Sequence, residues 1–376
     1  MALFLDVYNL STDQTNSTLE FIFKSQHSND DGIWKPHESP LLRRLVELFT
    51  QRGLSRLDHV KQQIIAWESG ANYRDHTKPI ARPGMMERWG KDELSLVKLY
   101  LESLPPLQWT LDDHMLALEY TIQRYLPLYE LRTEAEWLAT KANLMGKVQA
   151  NMDKQPTLEQ ADTILEALPS TVGAAVEMFS FTPAQQATLD FGAAKCVENV
   201  RALTDAVRHK MRNVIMQHTE DKMLGDVQHD LQTVLFDEFA TLNRDWRRIA
   251  VTESGNNQLN GFVASVPEGS KLKRVEQYQN ACAFCRSIDG KIVDVVSPDK
   301  PDKDGDTEVW VGKDNIGRSA SPKKRVGNVL VDRLPDERFW IPAGTAHPSC
   351  RGQWVKTVDV GYGDPEFAKW LQDVLK

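Results

Sequence analysis

Two apolar stripes at helical spacing constrain this chain more than any other feature. Between residues 183 and 218, Val197, Val200, Leu203, Val207, Met211, Val214 and Ile215 recur at steps of three and four, which places them along one side of a single long helix. Between residues 223 and 253, Val227, Leu231, Val234, Leu235, Phe239, Leu242 and Trp246 keep the same rhythm. Two long helices, each apolar on one side, bury those sides most simply against each other. An antiparallel pair over 181–253 is therefore expected.

Helix starts are marked upstream. Thr182-Pro183-Ala184-Gln185 sets an N-cap hydroxyl before a proline at the first helical position, where the missing amide costs nothing. Thr110 with Asp113, Thr133 with Glu136, and Thr157 with Gln160 have the spacing of capping boxes. Pro105-Pro106, Pro127 and Pro169 separate helices. Residues 41–253 are thus expected to be helical almost throughout, with 1–180 a mainly helical N-terminal domain. Within it, residues 1–40 are polar and irregular apart from short apolar runs at 4–8 and 19–23, and a small hairpin or arm is expected there.

After Ser254 the texture changes. Gly, Asn, Asp, Pro and Ser rise, and short β-favouring runs occur at 291–296, 308–311, 329–331 and 354–360. Asp289-Gly290 between two short apolar segments signals a two-residue hairpin, because both turn positions need positive φ. Residues 297–328 are charged and rich in turn formers, and are expected to form an exposed inserted loop. Asp364-Pro365-Glu366 starts a last short helix, with Phe367, Trp370, Leu371, Val374 and Leu375 on one face as a lid over core. The fold class expected is α+β, a largely helical N-terminal domain followed by a smaller module over 254–376. At 376 residues the chain exceeds the usual single-core size.

Composition narrows the function. The net charge of −8 argues against a surface coated for nucleic acid, although a local basic patch remains compatible with it. No stretch approaches the roughly 18 apolar residues needed to span a bilayer, and residues 1–10 carry Asp6 and no basic residue, unlike a secretory signal. Folding in a reducing cytosol is expected, and there four cysteines stay free or bind metal.

Three of those cysteines cluster with a histidine. Cys282-Ala283-Phe284-Cys285 is a C-x2-C turn, and His347-Pro348-Ser349-Cys350 supplies an H-x2-C pair far downstream. Zinc takes four such ligands in a tetrahedron, and two short turns offering two ligands each are a common way to build one. With every ligand from protein the site would be closed and structural. In a module poor in apolar runs, a structural zinc contributes on the order of 10 kcal/mol of binding energy coupled to folding. Ordinary unmetallated thiols are the bland alternative. A zinc deaminase is excluded by the order of the segments and by the missing Glu two residues after the histidine. A Cys350–His347 nucleophile pair lacks an obvious third group. Cys196 lies beside the first apolar stripe and reads as core.

One further segment links these features. Arg247-Arg248-Ile249-Ala250-Val251-Thr252-Glu253 resembles the R-x-I-A-R-T-E segment of the bacteriophage Mu F-like head morphogenesis proteins. In that family it closes a helical pair and precedes a C-x2-C…D-G stretch and an H-P-x-C-R-C segment. Here Cys282, Cys285, Asp289, Gly290, His347, Cys350 and Arg351 fall in that order. Two positions depart: Val251 stands for the second arginine, and Gly352 for the final cysteine, which leaves His347 and Cys350 as the second ligand pair. The resemblance covers about 185–358. It implies a minor capsid protein of a tailed phage, in the head interior or at the portal vertex and assembled in the host cytoplasm. The implied partners are the portal, major capsid or scaffold proteins, with no membrane and no small-molecule substrate. Trp246 is then expected in the core, with Arg247, Arg248 and Glu253 linking the helix end to the C-terminal module.

Basic residues bear on packaged double-stranded DNA as a further partner. Arg318, Lys323, Lys324 and Arg325 sit in or beside the inserted segment and are candidate phosphate contacts; a solvated charged face is the simpler account. The chain is expected not to be an enzyme. The competing expectation is a metal-dependent nuclease or hydrolase, which needs an open metal position holding water.

Overall fold

The computed structural model describes residues 40–76, 78–105, 108–152, 156–225, 231–276, 281–348, 350–358 and 364–376. The hairpin or arm expected in the first 40 residues therefore lies outside the described residues, apart from Pro40. Among the described residues eight helices lead: α1 Pro40–Glu68, α2 Lys91–Glu102, α3 Leu111–Tyr125, α4 Leu128–Ala150, α5 Leu158–Ala167, α6 Val172–Met178, α7 Pro183–Leu224 and α8 Leu231–Ser265. Then follow β1 Lys271–Val275, α9 Ala283–Ile288, β2 Ile292–Val295, β3 Glu308–Val309, β4 Lys323–Val326, β5 Val329–Asp332, β6 Gln353–Val358 and α10 Pro365–Val374. The chain is α+β, with the helices first.

The capping boxes at Thr157 and Thr182 are formed as their spacing predicts; at Thr110 the amide and the hydroxyl both donate to the Asp113 carboxylate, at 2.8 and 2.7 Å, and the hydroxyl accepts no amide. Thr133 is different. It sits inside α4, which starts after Pro127, and its hydroxyl donates back to the Tyr129 carbonyl at 3.1 Å. A Thr-x-x-Glu string marks a start only where the preceding residue is not already helical.

The two long helices form, but they do not stand alone. One apolar core joins Leu45, Phe49 and Leu57 of α1 and Leu138 and Leu144 of α4 to Val200, Val207 and Met211 of α7 and to Leu235, Phe239 and Trp246 of α8. The division expected at residue 180 therefore falls inside a single core, because α4 is buried along nearly all its length and needs partners on every side. A smaller aromatic cluster with Trp67, Trp89, Tyr100 and Tyr120 caps the α1–α3 end.

The second long helix continues twelve residues past the expected end at Glu253, to Ser265. Residues 254–265 are rich in Gly and Asn, yet tertiary packing overrides that composition. Leu259, Phe262 and Val263 are buried at helical spacing. Asn257 and Asn260 donate their side-chain amides to the carbonyls of Glu253 and Asn256, each at 2.8 Å. Gly146 of α4 and Gly261 of α8 let the two backbones touch. A Cβ on Gly146 would lie 2.0 Å from the Gln258 carbonyl oxygen, and one on Gly261 2.0 Å from that of Asn143.

The end of α8 lies over a four-stranded sheet of order β3-β2-β1-β6, with β1 antiparallel to both neighbours and β2 parallel to β3. Leu259, Phe262, Val263, Leu272, Val293, Val309 and Trp354 fill the space between. The last helix is a lid over core, but over the helical core and not the C-terminal module: Phe367 and Leu371 of α10 join the main cluster, and Phe367 and Trp370 meet the Phe179 ring edge-on. No helix among the described residues is long and apolar enough to cross a membrane.

Two expectations about the C-terminal module are corrected. Asp289-Gly290 does not turn a hairpin, because residues 283–288 are helical. Asp289 caps α9, and Gly290, at φ +78°, sends the chain into β2. The segment 297–328 is not simply an exposed loop either. Lys313 is 1% exposed and donates to the carbonyls of Gly305 and Glu308 at 2.7 and 2.6 Å. It lies against the rings of Trp310 and Trp340, themselves packed edge to face at 5.3 Å. The β4–β5 hairpin projects from this knot.

Candidate metal centre

Cys282 is the N-cap of α9, and its sulfur accepts the amide of Cys285 at 3.4 Å. That turn points both C-x2-C sulfurs the same way. The facing loop carries His347 and Cys350, closed by the Cys350 amide on the His347 carbonyl at 3.1 Å. Three anchors hold that loop. Asn256 of α8 accepts the Thr345 amide at 3.3 Å, Asn315 donates to the Ala346 carbonyl at 3.2 Å, and Trp354 of β6 donates to the Ala343 carbonyl at 2.8 Å.

These elements bring together the four residues singled out by spacing. His347 Nε2 is 3.2 Å from the sulfurs of both Cys282 and Cys285, and the Cys285 and Cys350 sulfurs are 3.9 Å apart. No disulfide links them. Cys285 and Cys350 are buried and Cys282 is half-buried. The cluster could hold a metal ion. His347 Nδ1 lies 2.9 Å from the Pro348 carbonyl. If Nδ1 carries the proton and donates there, Nε2 is left as a lone pair toward the sulfurs.

The electrostatics favour the thiolate at Cys282 and at Cys350. Burial raises the Cys282 thiol, but the Cys285 amide and His347 outweigh it and the net shift is downward. Cys350 is held well below the ordinary thiol range by hydrogen bonding with Cys285 and, against the effect of burial, by the Arg274 guanidinium. Burial lowers His347, while the Pro348 carbonyl and the thiolates of Cys350 and Cys282 raise it further.

Two residues of this site escaped sequence reasoning. Arg274 and Glu276, at the end of β1, form a fully buried ion pair at 2.7 Å beside Cys350. Arg274 reaches the Cys350 sulfur at 3.8 Å and the Gly344 carbonyl at 3.3 Å, and lies over the Trp354 ring. Arg-x-Glu in a short strand ordinarily reads as a solvated face. The one clue was Leu272, which shares the inward side of β1 with Arg274.

The remaining motif residues serve the frame. Trp246 is buried, stacks on Phe49 and donates to its carbonyl at 3.2 Å. Glu253 is buried in mid-helix, where it accepts the Asn199 side chain of α7 at 2.9 Å; burial raises its carboxyl. Arg247 is half-buried and Arg248 exposed. None of the three stands at a helix end, and for Glu253 the expected link to the C-terminal module is replaced by the contact with Asn199 inside the helical body. Asp289 accepts the Glu276 amide at 2.8 Å and Gly290 donates to the Arg274 carbonyl at 2.8 Å, which fixes α9 against β1. Arg351 is half-buried, separated from β6 by Gly352.

Of the four candidate DNA contacts, Arg318 and Lys324 are already engaged. Arg318 stacks on Trp340 at 3.5 Å and donates to the Arg338 carbonyl, and Lys324 pairs with Glu337. Lys323 and Arg325 are exposed on the β4–β5 hairpin. No protein-family model, curated protein or solved structure matches this chain.

Proposed function

We propose that this chain is a minor head protein of a tailed bacteriophage whose C-terminal module is stapled by a structural zinc ion on Cys282, Cys285, His347 and Cys350. The observation that carries the metal reading is the convergence of one nitrogen and two sulfurs at 3.2 Å, with a third sulfur 3.9 Å from Cys285. A zinc ion about 2.3 Å from sulfur and 2.0–2.1 Å from nitrogen gives tetrahedral edges of ~3.8 Å between sulfurs and ~3.6 Å from sulfur to nitrogen. The Cys285–Cys350 spacing of 3.9 Å lies close to its edge, the two sulfur-to-nitrogen spacings of 3.2 Å are shorter than theirs, and Cys285 is the donor common to both groups of ligand atoms. When bound, the ion supplies cross-linking rather than reactivity. It ties α9 to the loop before β6 across the long insertion, where a clip removes the most chain entropy.

The phage reading rests on the order of the Arg247–Glu253 segment, the C-x2-C turn, Asp289-Gly290 and the His347–Arg351 segment. A protein of this kind works by contact with portal, major capsid or scaffold proteins. Of the four candidate phosphate contacts, Lys323 and Arg325 are the exposed pair through which the hairpin would meet packaged DNA. Four protein donors leave no open position for water, which favours this reading over a nuclease or hydrolase.

Co-expression with the portal and major capsid proteins of a tailed phage tests the role. A few copies retained in purified heads are expected. A chain left wholly in the unassembled fraction contradicts it. For the hydrolytic alternative, turnover of duplex DNA that disappears in Cys350→Ser while the fold survives would favour an enzyme.

A further inference from the structure

We propose that Glu276 is a fifth donor of the metal centre, able to take the coordination position that Cys350 otherwise fills; this rests on the metal reading above. The donors fall into two overlapping groups, Cys282–Cys285–His347 and Glu276–Cys285–Cys350, each with its ligand atoms within 4.8 Å of one another. Cys285 belongs to both. An ion seated on the first group has one tetrahedral position left, and both remaining donors lie on the Cys285 side.

Glu276 is held on that side of the site. Its side chain is fully buried, and its amide is fixed by Asp289 at 2.8 Å. One carboxylate oxygen takes the Arg274 Nε at 2.7 Å, while the other lies 3.7 Å from the Cys350 sulfur. A carboxylate can serve a guanidinium with one oxygen and a metal with the other. The space for it exists because residue 352 is glycine. A Cβ there would lie 1.9 Å from one Glu276 oxygen and 2.6 Å from the other.

Two ions sharing Cys285 are disfavoured, since the Arg274 guanidinium stands 3.8 Å from the Cys350 sulfur and would repel a second dication. The centre therefore holds one ion with a choice at its fourth position, a soft thiolate or a hard carboxylate. That choice widens the range of metals accepted toward ions that prefer oxygen.

Cobalt(II) titration of the full chain tests this, read by the tetrahedral d–d band and by competition with a chelator. Wild type is expected to take about one cobalt. Cys350→Ser is expected to keep a saturable tetrahedral site with weaker thiolate-to-cobalt absorption. Adding Glu276→Gln, or Gly352→Ala to displace the carboxylate, should then lower affinity a further ~10–100-fold. The Gly352→Ala version keeps the charge partner of Arg274, so it decides the matter if the Glu276→Gln version does not fold by near-ultraviolet circular dichroism. Equal affinity in Cys350→Ser and both double variants would mean that water fills the position, and would overturn the proposal. So would a folded Cys350→Ser chain that binds no cobalt while wild type does. A wild-type chain that takes no cobalt overturns the metal reading itself, and this proposal with it.

Discussion

Arg274 and Glu276 meet at 2.7 Å with both side chains out of contact with solvent. Burial works against both charges; Glu276 and Cys350 outweigh it for Arg274, while for Glu276 the Arg274 guanidinium offsets it only in part and the carboxyl stays raised. Removing one partner strands a buried charge, so Arg274→Met alone should cost about 3–5 kcal/mol of stability. The double variant Arg274→Met, Glu276→Gln should cost less than Arg274→Met alone. Urea unfolding of the single and double variants checks this, and an additive double variant would contradict it.

The contact of α4 with α8 depends on two missing side chains. Gly261→Ala would drive a methyl to 2.0 Å from the Asn143 carbonyl oxygen, and Gly146→Ala meets Gln258 the same way. Each should destabilise by roughly 3 kcal/mol, despite a gain in helix propensity of about 1 kcal/mol. Gly173→Ala in α6, with nothing within 4 Å among the described residues, is the control and should be neutral or stabilising. Thermal melts of the three variants distinguish backbone contact from a general effect of alanine.

Lys141 is buried in α4 and donates to the carbonyls of Leu165 and Leu168 at the end of α5. Burial, with Arg52 nearby, lowers it from 10.5 to about 8. Between those two values the unfolded chain holds a proton that the folded chain has shed, so this residue's contribution to stability rises with pH through that window. The stability difference between wild type and Lys141→Met should therefore shift in favour of wild type from pH 8 to 10.5. Lys313, also lowered to about 8 by burial, is common to both chains and drops out of the difference. A difference independent of pH in denaturant midpoints would contradict the assignment.

Only two of the four candidate DNA contacts are exposed, and they should account for most of the phosphate contact made by this hairpin. Replacing Lys323 and Arg325 with alanine should reduce the slope of log affinity against log salt for duplex DNA by about 2. Arg318→Ala should mainly loosen the Trp340 packing. A slope unchanged by the double replacement would remove DNA contact at this hairpin.

Much of this was legible in the chain. The helical repeats of α7 and α8, the threonine starts at 157 and 182 and the meeting of Cys282, Cys285, His347 and Cys350 follow from local spacing, whereas Thr133 has the same spacing and caps nothing. The end of α8 was not legible, because Gly255, Asn256, Asn257, Asn260 and Gly261 read as loop. Their helical state comes from a glycine contact with α4 and from side-chain amides that bond back along the helix. The single helical core was hidden for a related reason: periodicity shows that a helix has a buried face but not which helix covers it. Lys313, Arg274 and Glu276 look like surface charges in sequence; Gly344, Cys350 and Trp354 far along the chain enclose the Arg274–Glu276 pair, and carbonyls of its own loop with the Trp340 ring enclose Lys313.

Metal content of the purified full-length chain is the most direct measurement, made by elemental analysis beside Cys285→Ser, which removes the donor common to both groups. About one zinc per chain is predicted, lost in the variant together with the near-ultraviolet signal of Trp354 and its neighbours around the sheet. A chain that folds the same with no metal, and is indifferent to Cys285→Ser, would contradict the stapled centre and leave the four residues as buried thiols beside a histidine.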